Sequence, residues 1–457
     1  MKTVVIQGLG FVGLAMSVAV ASAKDKKNRN IYRVIGLELP NKLGMKKVSD
    51  INAGNFPIKS TDKTLEKAFE ECVKIGNLSA STNPEVISEA DYIIVDINLD
   101  VDTSKERGSI DFSGFKNAIK TISKHIKNDA LLIIETTVPP GTTEKIVYPI
   151  IKNEFLKKYP NNTSPLVAHS YERVMPGPNY FNSIKNFWRV YAGIDAISSI
   201  KCRDFLESII NTDKYELRDV KNTTASETAK IMENSFRALN IAFIDEWSKF
   251  AEIAKIDLFD VISAIRVRPT HRNIMNPGLG VGGYCLTKDP LMGMISLDQI
   301  YNKKSDFPLS KMSIDINKNM PNNTLKLVER NLQNFDKKIL VLGITYLEDV
   351  GDIRFSASEQ LINLLLEKDL QVDCYDPMIN YSTCKGVNVL KNLPKAFDYS
   401  AIILTVKHSK FKELNFKDWL KNFPGILIDS NNILSKMELD NLKNSGIKVK
   451  AIGRGYL

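Results

Sequence analysis

At 457 residues the chain is too long for a single hydrophobic core, and its 43% apolar and 25% charged residues describe a globular protein of two or three domains. No run approaches the roughly 20 apolar residues of a membrane-spanning helix, and the opening MKTVVIQGLG reads as a strand and a glycine turn, not a signal peptide, so the expected location is cytoplasmic. The net charge of +9 is dispersed over single lysines without a basic block, which points to a small anionic ligand and away from nucleic acid or a membrane.

In chain order, residues 3–7 form an apolar run of strand length, followed at once by Gly8-Leu9-Gly10-Phe11-Val12-Gly13. Residues 14–23 are then small and apolar at helical spacing. Strand, GxGxxG and helix together predict a dinucleotide site, in which the first glycine turns the chain, the second admits the pyrophosphate, and the third lets helix and strand approach; alone, the motif also fits a tight strand–helix packing turn. The helix N-terminus offers N–H groups and a positive dipole end to the phosphates. A second strand, residues 33–37, ends at Glu38, where a carboxylate accepts the ribose hydroxyls and repels a 2′-phosphate, favouring NAD over NADP. Buried strands at 90–96 and 130–135, with a helix at 115–126 between them, continue the alternation of a doubly wound parallel sheet. Ligands of such sheets sit beyond the strand C-termini. Two loops fall there, Thr136-Thr137-Val138-Pro139-Pro140-Gly141 and residues 171–177, the second carrying Glu172, Arg173 and Val174. Taken alone, each also fits a plain surface turn.

Residues 221–265 change character, with Ile231, Phe236, Leu239, Ala242, Phe243, Trp247, Phe250 and Ile253 recurring at helical spacing. One long helix is predicted, with more apolar surface than its own domain covers, and hence a homodimer interface. Lys230 and Asn234, four apart, share a face of it. Residues 276–290, NPGLGVGGYCLTKDP, place Gly278, Gly280, Gly282 and Gly283 ahead of Cys285, Lys288 and Asp289. Glycine lets backbone pass close to a ligand or adopt a positive φ, and Lys288 and Asp289 are residue types that lower a thiol's pKa or handle a proton beside it. By itself the stretch fits a reactive thiol or a structural cysteine in a glycine-rich turn equally well. The five cysteines, odd in number and without a CxxC, argue against a disulfide framework, and four histidines without ligand spacing predict no metal site.

After a junction at 303–323 the α/β pattern restarts. A strand at 338–343, a loop with Asp349, Asp352 and Arg354, a helix at 358–367, and strands at 371–375, 401–406 and 425–429 follow. This half lacks a GxGxxG, so its ligand is expected to differ from that of the first. The expected architecture is α/β: two doubly wound Rossmann-like parallel-sheet domains, 1–200 and 320–457, joined by a long central helical region at 201–310.

Nine stretches in order carry a resemblance: GLGFVG, INAGNFPI, TTVPPGTT, ERVMPG, ETAKIMENSFRALNIAF, GLGVGGYCLTKDP, GDIRFSAS, the Asp376-Pro377 step and the closing GRGY. Over nearly the whole chain they resemble the UDP-glucose/GDP-mannose dehydrogenase family. The resemblance implies NAD-dependent, four-electron oxidation of the C6 hydroxymethyl of a UDP-sugar to a uronic acid for surface polysaccharides. It implies a central dimerisation region and a C-terminal domain that binds the UDP-sugar. The Glu172 loop is closer to the branch acting on UDP-N-acetylhexosamines, while Lys288 is shared with UDP-glucose enzymes, which keeps UDP-glucose as the alternative. A simple two-electron hydroxyacid dehydrogenase shares the first half and the helical middle, but has no use for Cys285.

Residue by residue, the resemblance makes Cys285 the nucleophile, Lys230 and Asn234 the pair that polarises the substrate oxygen, and Asp289 the partner of the catalytic water. Glu172 becomes the base in thioester hydrolysis and Thr137 a hydroxyl near that water. Gly8, Gly10, Phe11, Val12, Gly13, Glu38, Thr137 and Lys288 are expected at NAD. Glu172, Arg173, Val174, Lys230, Asn234, Gly280, Gly282, Gly283 and Arg354 are expected at the substrate, with Arg272 reaching a neighbouring subunit. Three departures stand out: Asp96-Ile97-Asn98-Leu99-Asp100 replaces a Val-Pro-Thr-Pro-like turn, Leu347 replaces a lysine, and Tyr284 precedes the cysteine where His or Ser is frequent.

Overall fold

The computed structural model describes residues 1–58, 60–161, 164–332, 338–379, 383–384 and 386–457. They divide into two compact units, Met1–Glu233 with Leu291–Phe307 and Asn234–Pro290 with Pro308–Leu457. The first is built on strands β1 (Lys2–Gln7), β2 (Tyr32–Leu37), β3 (Leu78–Ser81), β4 (Tyr92–Val95), β5 (Leu131–Ile134), β6 (Leu166–Ser170), β7 (Arg189–Gly193) and β8 (Leu217–Asp219). Their order is β3-β2-β1-β4-β5-β6-β7-β8. Every residue of β4 and β5 is buried, which is why both read as unbroken apolar runs.

The sheet is parallel through β6, but β7 pairs antiparallel with β6, and β8 runs parallel to β7. The doubly wound parallel sheet expected from the sequence is thus present, with one antiparallel pairing added at this edge. A parallel return requires a crossover back to the start of the sheet. Here the segment after β6 forms the Glu172 loop and the short helix Tyr180–Lys185, and the chain re-enters the sheet running the other way. The first helix, Phe11–Ala21, begins three residues earlier than its apolar spacing suggests, so Val12 and Gly13 lie in its first turn.

The long helix Thr223–Ala254 stops short of the predicted end, and a second helix, Leu258–Arg266, follows. Lys255 takes a φ of 56°, and Asp257 caps the second helix through Phe259 N at 3.0 Å. Apolar periodicity runs across this break, which is why it was invisible to a spacing argument.

The second unit carries β9 (Lys338–Leu342), β10 (Val372–Tyr375), β11 (Thr383–Cys384), β12 (Val387–Leu390), β13 (Tyr399–Leu404), β14 (Ile426–Asp429) and β15 (Lys448–Ala451). Their order is β11-β12-β10-β9-β13-β14-β15, parallel throughout except for β11 against β12. Both faces of this sheet are covered, one by a core around Leu361 and Val341, the other by a core around Phe411 and Leu427.

Candidate active site

The turn after β1 meets the steric demands of a dinucleotide site. Gly8 has a φ of 97°, and a Cβ there would stand 2.5 Å from Asp96 O; one on Gly13 would stand 1.9 Å from Gly8 O. A Cβ on Gly10 would meet nothing within 4 Å. Gly10 is also the N-cap of the first helix and supplies no capping side chain. First and third glycines are thus required by the protein's own packing, and the second faces open space before a helix N-terminus, as NAD pyrophosphate needs. Tyr180 Oη donates to Phe11 O and ties the start of that helix to the helix Tyr180–Lys185. Glu38 lies at the end of β2, accepting from Leu9 N at 2.9 Å and from Lys47 Nζ at 2.8 Å. Lys47 has no sequence signal, and its charge stands where the NAD-over-NADP argument assumed a carboxylate alone.

Two loops converge on the long helix within this unit. Glu227, buried in the first turns of that helix, accepts from Gly141 N at 2.5 Å and Thr143 N at 2.7 Å and so fixes the loop that carries Thr137. Burial pushes the Glu227 carboxyl up to about 8, against the lowering effect of those Thr143 and Gly141 donors. Thr136 Oγ1 donates to Val95 O and Ile97 O at 3.0 Å, and Thr137 is half-buried. Lys230 Nζ donates to Glu172 O at 3.1 Å and lies 3.5 Å from Glu172 Oε1, while Glu172 Oε2 accepts from Val174 N. Arg173 pairs with Glu233 at 2.6 Å and lies over the rings of Tyr171 and Phe187. The sequence-named Glu172, Val174 and Lys230 therefore form one bonded group, with Arg173 pointing its charge to a partner of its own.

The second unit holds the thiol. Cys285 is exposed, and its carbonyl accepts from Lys288 N at 3.2 Å and Asp289 N at 2.9 Å, closing one helical turn. Asp289 is buried and accepts from Asn234 Nδ2 at 2.7 Å and from Lys288 Nζ at 3.1 Å. Lys288 also lies over the Tyr284 ring, 5.0 Å from its centre, so Tyr284 forms a wall for the lysine. The preceding glycines have distinct causes. Gly283 takes a φ of 82°, whereas Cβ atoms on Gly280 and Gly282 would stand 3.0 Å from Ala357 Cβ and 2.9 Å from Phe355 O. Close packing against the 345–357 loop therefore accounts for two of the glycines. Together the two stretches line a cavity of about 200 Å³ that includes Gly280, Gly282, Tyr346, Leu347, Glu348 and Lys407. Burial pushes the Tyr346 phenol up to about 12, with Asp352 and Cys285 adding to the shift.

A model of the family's NAD-binding domain matches residues 1–200, one of its central domain 224–319, and one of its UDP-binding domain 340–436. The chain belongs to the UDP-glucose/GDP-mannose dehydrogenase family. It is an NAD-dependent oxidoreductase acting on nucleotide-sugars. It is 29% identical to the UDP-N-acetyl-D-mannosamine dehydrogenase of Methanocaldococcus jannaschii over 99% of this chain and 97% of that one. Among solved structures it is similar to the UDP-D-ManNAc dehydrogenase of Pyrococcus horikoshii, with a TM-score of 0.81, 26% identity and full coverage of both chains. It is also similar to an NDP-N-acetyl-D-galactosaminuronic acid dehydrogenase from Methanosarcina mazei Go1, with a TM-score of 0.78, 27% identity and 100% and 96% coverage.

Two family positions stand apart from these clusters. Arg354 is exposed and held by Asp352 through Nη2 at 2.7 Å and Nε at 3.0 Å, 5.9 Å from the centre of the Tyr284 ring. Arg272 is exposed in the turn after the short helix Pro269–His271. Among the described residues no group of His, Cys, Asp and Glu is arranged to hold a metal, and no helix is long and apolar enough to cross a membrane.

Proposed function

We propose that this family member oxidises the C6 hydroxymethyl of a UDP-N-acetylhexosamine to the carboxylate, with Cys285 as nucleophile. The observation that carries the reading is the loop that sets an exposed Cys285 one helical turn from a buried Asp289, itself bonded to Asn234 and Lys288. A one-step alcohol oxidation has no use for that arrangement. NAD, when bound, accepts a hydride at each of two stages. Loss of hydride and a proton from the alcohol gives an aldehyde, whose trigonal carbon cannot give up a second hydride without first adding a nucleophile. The Cys285 thiolate adds to it, and the tetrahedral thiohemiacetal loses hydride to become a thioester. Water then attacks the acyl carbon, the C–S bond breaks, and the thiolate returns as the acid leaves. Lys230 and Asn234, one turn apart on the long helix, stabilise the oxyanion of each tetrahedral stage. Asp289 or Glu172 takes the proton from the attacking water, with Thr137 near it. The UDP moiety binds at the cavity beside Gly280 and Gly282, and the uronic acid formed supplies surface polysaccharide.

The named relatives act on N-acetylated sugars of more than one configuration, which supports the N-acetyl class and not a single epimer. NADH counted against a panel of UDP-N-acetylhexosamines, UDP-glucose and GDP-mannose tests the reading. Two NADH per sugar are expected, with at least one UDP-N-acetylhexosamine preferred over UDP-glucose by about tenfold in kcat/KM, or roughly 1.4 kcal/mol. A preference for UDP-glucose overturns the substrate class, and one NADH per sugar overturns the thiol chemistry.

The long helix also supports a homodimer. Beside its buried residues Ile231, Ala238, Ala242 and Ala251 it exposes Met232, Phe236, Phe243, Trp247, Phe250 and Ile253, with Phe236 at 55% and Ile253 at 83%. A stripe of this kind on one helix face marks an association surface. Trp247 and Phe250 stack edge-on at 5.6 Å within it. Sedimentation of the protein is expected to give a dimer at micromolar concentration and a monomer for Phe250→Glu. A monomeric parent protein removes both the dimer and the role of Arg272 across it.

A further inference from the structure

We infer that Asp96 and Glu135 share a single proton, and that this bonded pair is the floor on which the NAD-binding turn rests. The two residues are the first beyond β4 and β5, whose last residues, Val95 and Ile134, are partners in a parallel ladder. Glu135 N and Thr136 N both donate to Val95 O, at 3.1 and 2.9 Å, which holds the two strand ends side by side. Asp96 Oδ2 and Glu135 Oε2 are each out of solvent and without a hydrogen-bond partner among the described residues. Each orphaned oxygen is costly on its own. One proton between the two carboxyls satisfies both, as adjoining carboxylates do when they cannot both ionise.

The surrounding charges balance only with that proton in place. Arg189, wholly buried on β7, donates to Glu135 Oε1 at 2.6 Å and to Tyr171 O at 2.8 Å. Glu172, from the loop after β6, is matched by Lys230 of the long helix at 3.5 Å. Cys202, on the helix Ala196–Glu207 behind the sheet, has its thiol raised by burial and stays neutral. The first helix contributes no charge, its Met16 Sδ lying 3.9 Å from Arg189 Nη2. Two cations thus face three carboxyls, and the third needs a proton. Burial, with Glu135 and Glu172 beside it, pushes the Asp96 carboxyl well above the usual carboxylate range, and burial raises Glu135 too.

Asp96 reaches NAD through the turn. A Cβ on Gly8 would stand 2.5 Å from Asp96 O, and one on Gly13 would stand 3.2 Å from Asp96 Cβ. The residue therefore lies directly against the first and third glycines, with no slack for it to shift. Losing the shared proton sets the buried Glu135 carboxylate against the inward Oδ2 of the half-buried Asp96 and presses Asp96 toward those glycines. Asp96 is a positioning residue, acting on NAD through Gly8 and Gly13.

The test is NAD affinity by titration calorimetry at neutral and at strongly alkaline pH, on the intact protein and on Asp96→Asn and Asp96→Ala. For the parent protein the alkaline-to-neutral Kd ratio is expected to reach at least about tenfold. In Asp96→Asn, whose amide donates permanently to Glu135, that ratio falls to near one. Asp96→Ala loses the pH dependence as well, but binds NAD several-fold more weakly than Asp96→Asn at neutral pH, because the floor is missing. An Asp96→Asn ratio equal to that of the parent, or neutral affinity no better than that of Asp96→Ala, overturns the proposal. The infrared band of a protonated carboxyl supplies a second readout. Glu227 also contributes one at neutral pH, so the expected result is a band component in the parent protein that Asp96→Asn lacks, and identical bands in the two overturn the shared proton.

Discussion

After β1 the chain turns at Gly8 and enters its helix at Phe11, while after β9 it turns at Gly343, at nearly the same positive φ, and reaches its helix only at Ala357. The frames are otherwise alike: β3-β2-β1-β4-β5-β6 in one sheet corresponds in order to β12-β10-β9-β13-β14-β15 in the other. Even the brace across each turn recurs. Glu38, past β2, accepts from Leu9 N at 2.9 Å, and Asp376, past β10, accepts from Ile344 N at 2.7 Å. What differs is the segment between strand and helix. Three residues bring a helix N-terminus up to the open face of Gly10, whereas residues 343–356 build a wall against Gly282 and Gly283 and line a cavity. The same scaffold thus serves two ligands by changing the length of one connection.

Gly13→Ala and Gly343→Ala separate the two turns most strongly. The first forces a Cβ to within 1.9 Å of Gly8 O and is expected to raise the Kd for NAD by roughly a hundredfold, about 2.7 kcal/mol. Gly343 has a φ of 99° and faces Val406 Cβ at 2.5 Å, so alanine there is expected to cost about 1–3 kcal/mol of stability and leave NAD affinity alone. Titration of NAD and urea unfolding of both variants check the contrast. A loss of NAD affinity in Gly343→Ala contradicts the separation of roles.

The braces differ in consequence as well. Removing Glu38 frees Lys47, now 2.8 Å from its carboxylate, to meet a 2′-phosphate. Glu38→Ala is therefore expected to lower the NAD-to-NADP ratio of kcat/KM by about tenfold. An unchanged ratio shows that neither residue reads the ribose.

At Asp376 burial opposes ionisation, but the hydrogen bond and charge of His408 and the N–H groups of Ile344 and Met378 outweigh it and hold the carboxyl below its usual range. A carboxyl with a depressed folded-state pKa stabilises the fold above its unfolded value of about 3.9, and that contribution is lost as pH falls through the folded value. Asp376→Asn is expected to cost about 1 kcal/mol at neutral pH and to flatten the acid limb of the stability curve. Denaturant unfolding across acid pH measures it, and an equally steep limb in the variant rules the carboxylate out.

How far the sequence carried depended on the range of each interaction. The GxGxxG turn, the apolar stripe of the long helix and the loop around Cys285 are local patterns, and each is found where spacing put it. Glu227 clamps a loop more than eighty residues away, and Lys47 reaches Glu38 from the helix Lys42–Asn52, at a position outside every resembling stretch. Neither contact leaves a periodic trace. Gly280 and Gly282 were readable as special positions, yet their cause, the approach of Ala357 and Phe355, depends on a segment that follows much later in the chain. The break at Lys255 and the antiparallel β7 are backbone choices that apolar spacing does not encode. Asp96 was visible as a departure from the family's turn, but that its Oδ2 lies out of solvent at the end of a strand paired with the one before Glu135 was not.

The central claim is that Cys285 does covalent chemistry at the end of a loop shaped by glycines. Single-turnover NADH yield from Cys285→Ser, with the sugar limiting and NAD in excess, tests it most directly. The first hydride transfer needs no thiol, so the variant is expected to give one NADH per sugar and then stall as aldehyde or slowly hydrolysed ester, with kcat for the acid lower by about a thousandfold or more. Lys230→Ala is the control, expected to slow both stages and keep the yield at two. Two NADH released by Cys285→Ser at the parent rate would make the thiol a structural residue and contradict the account.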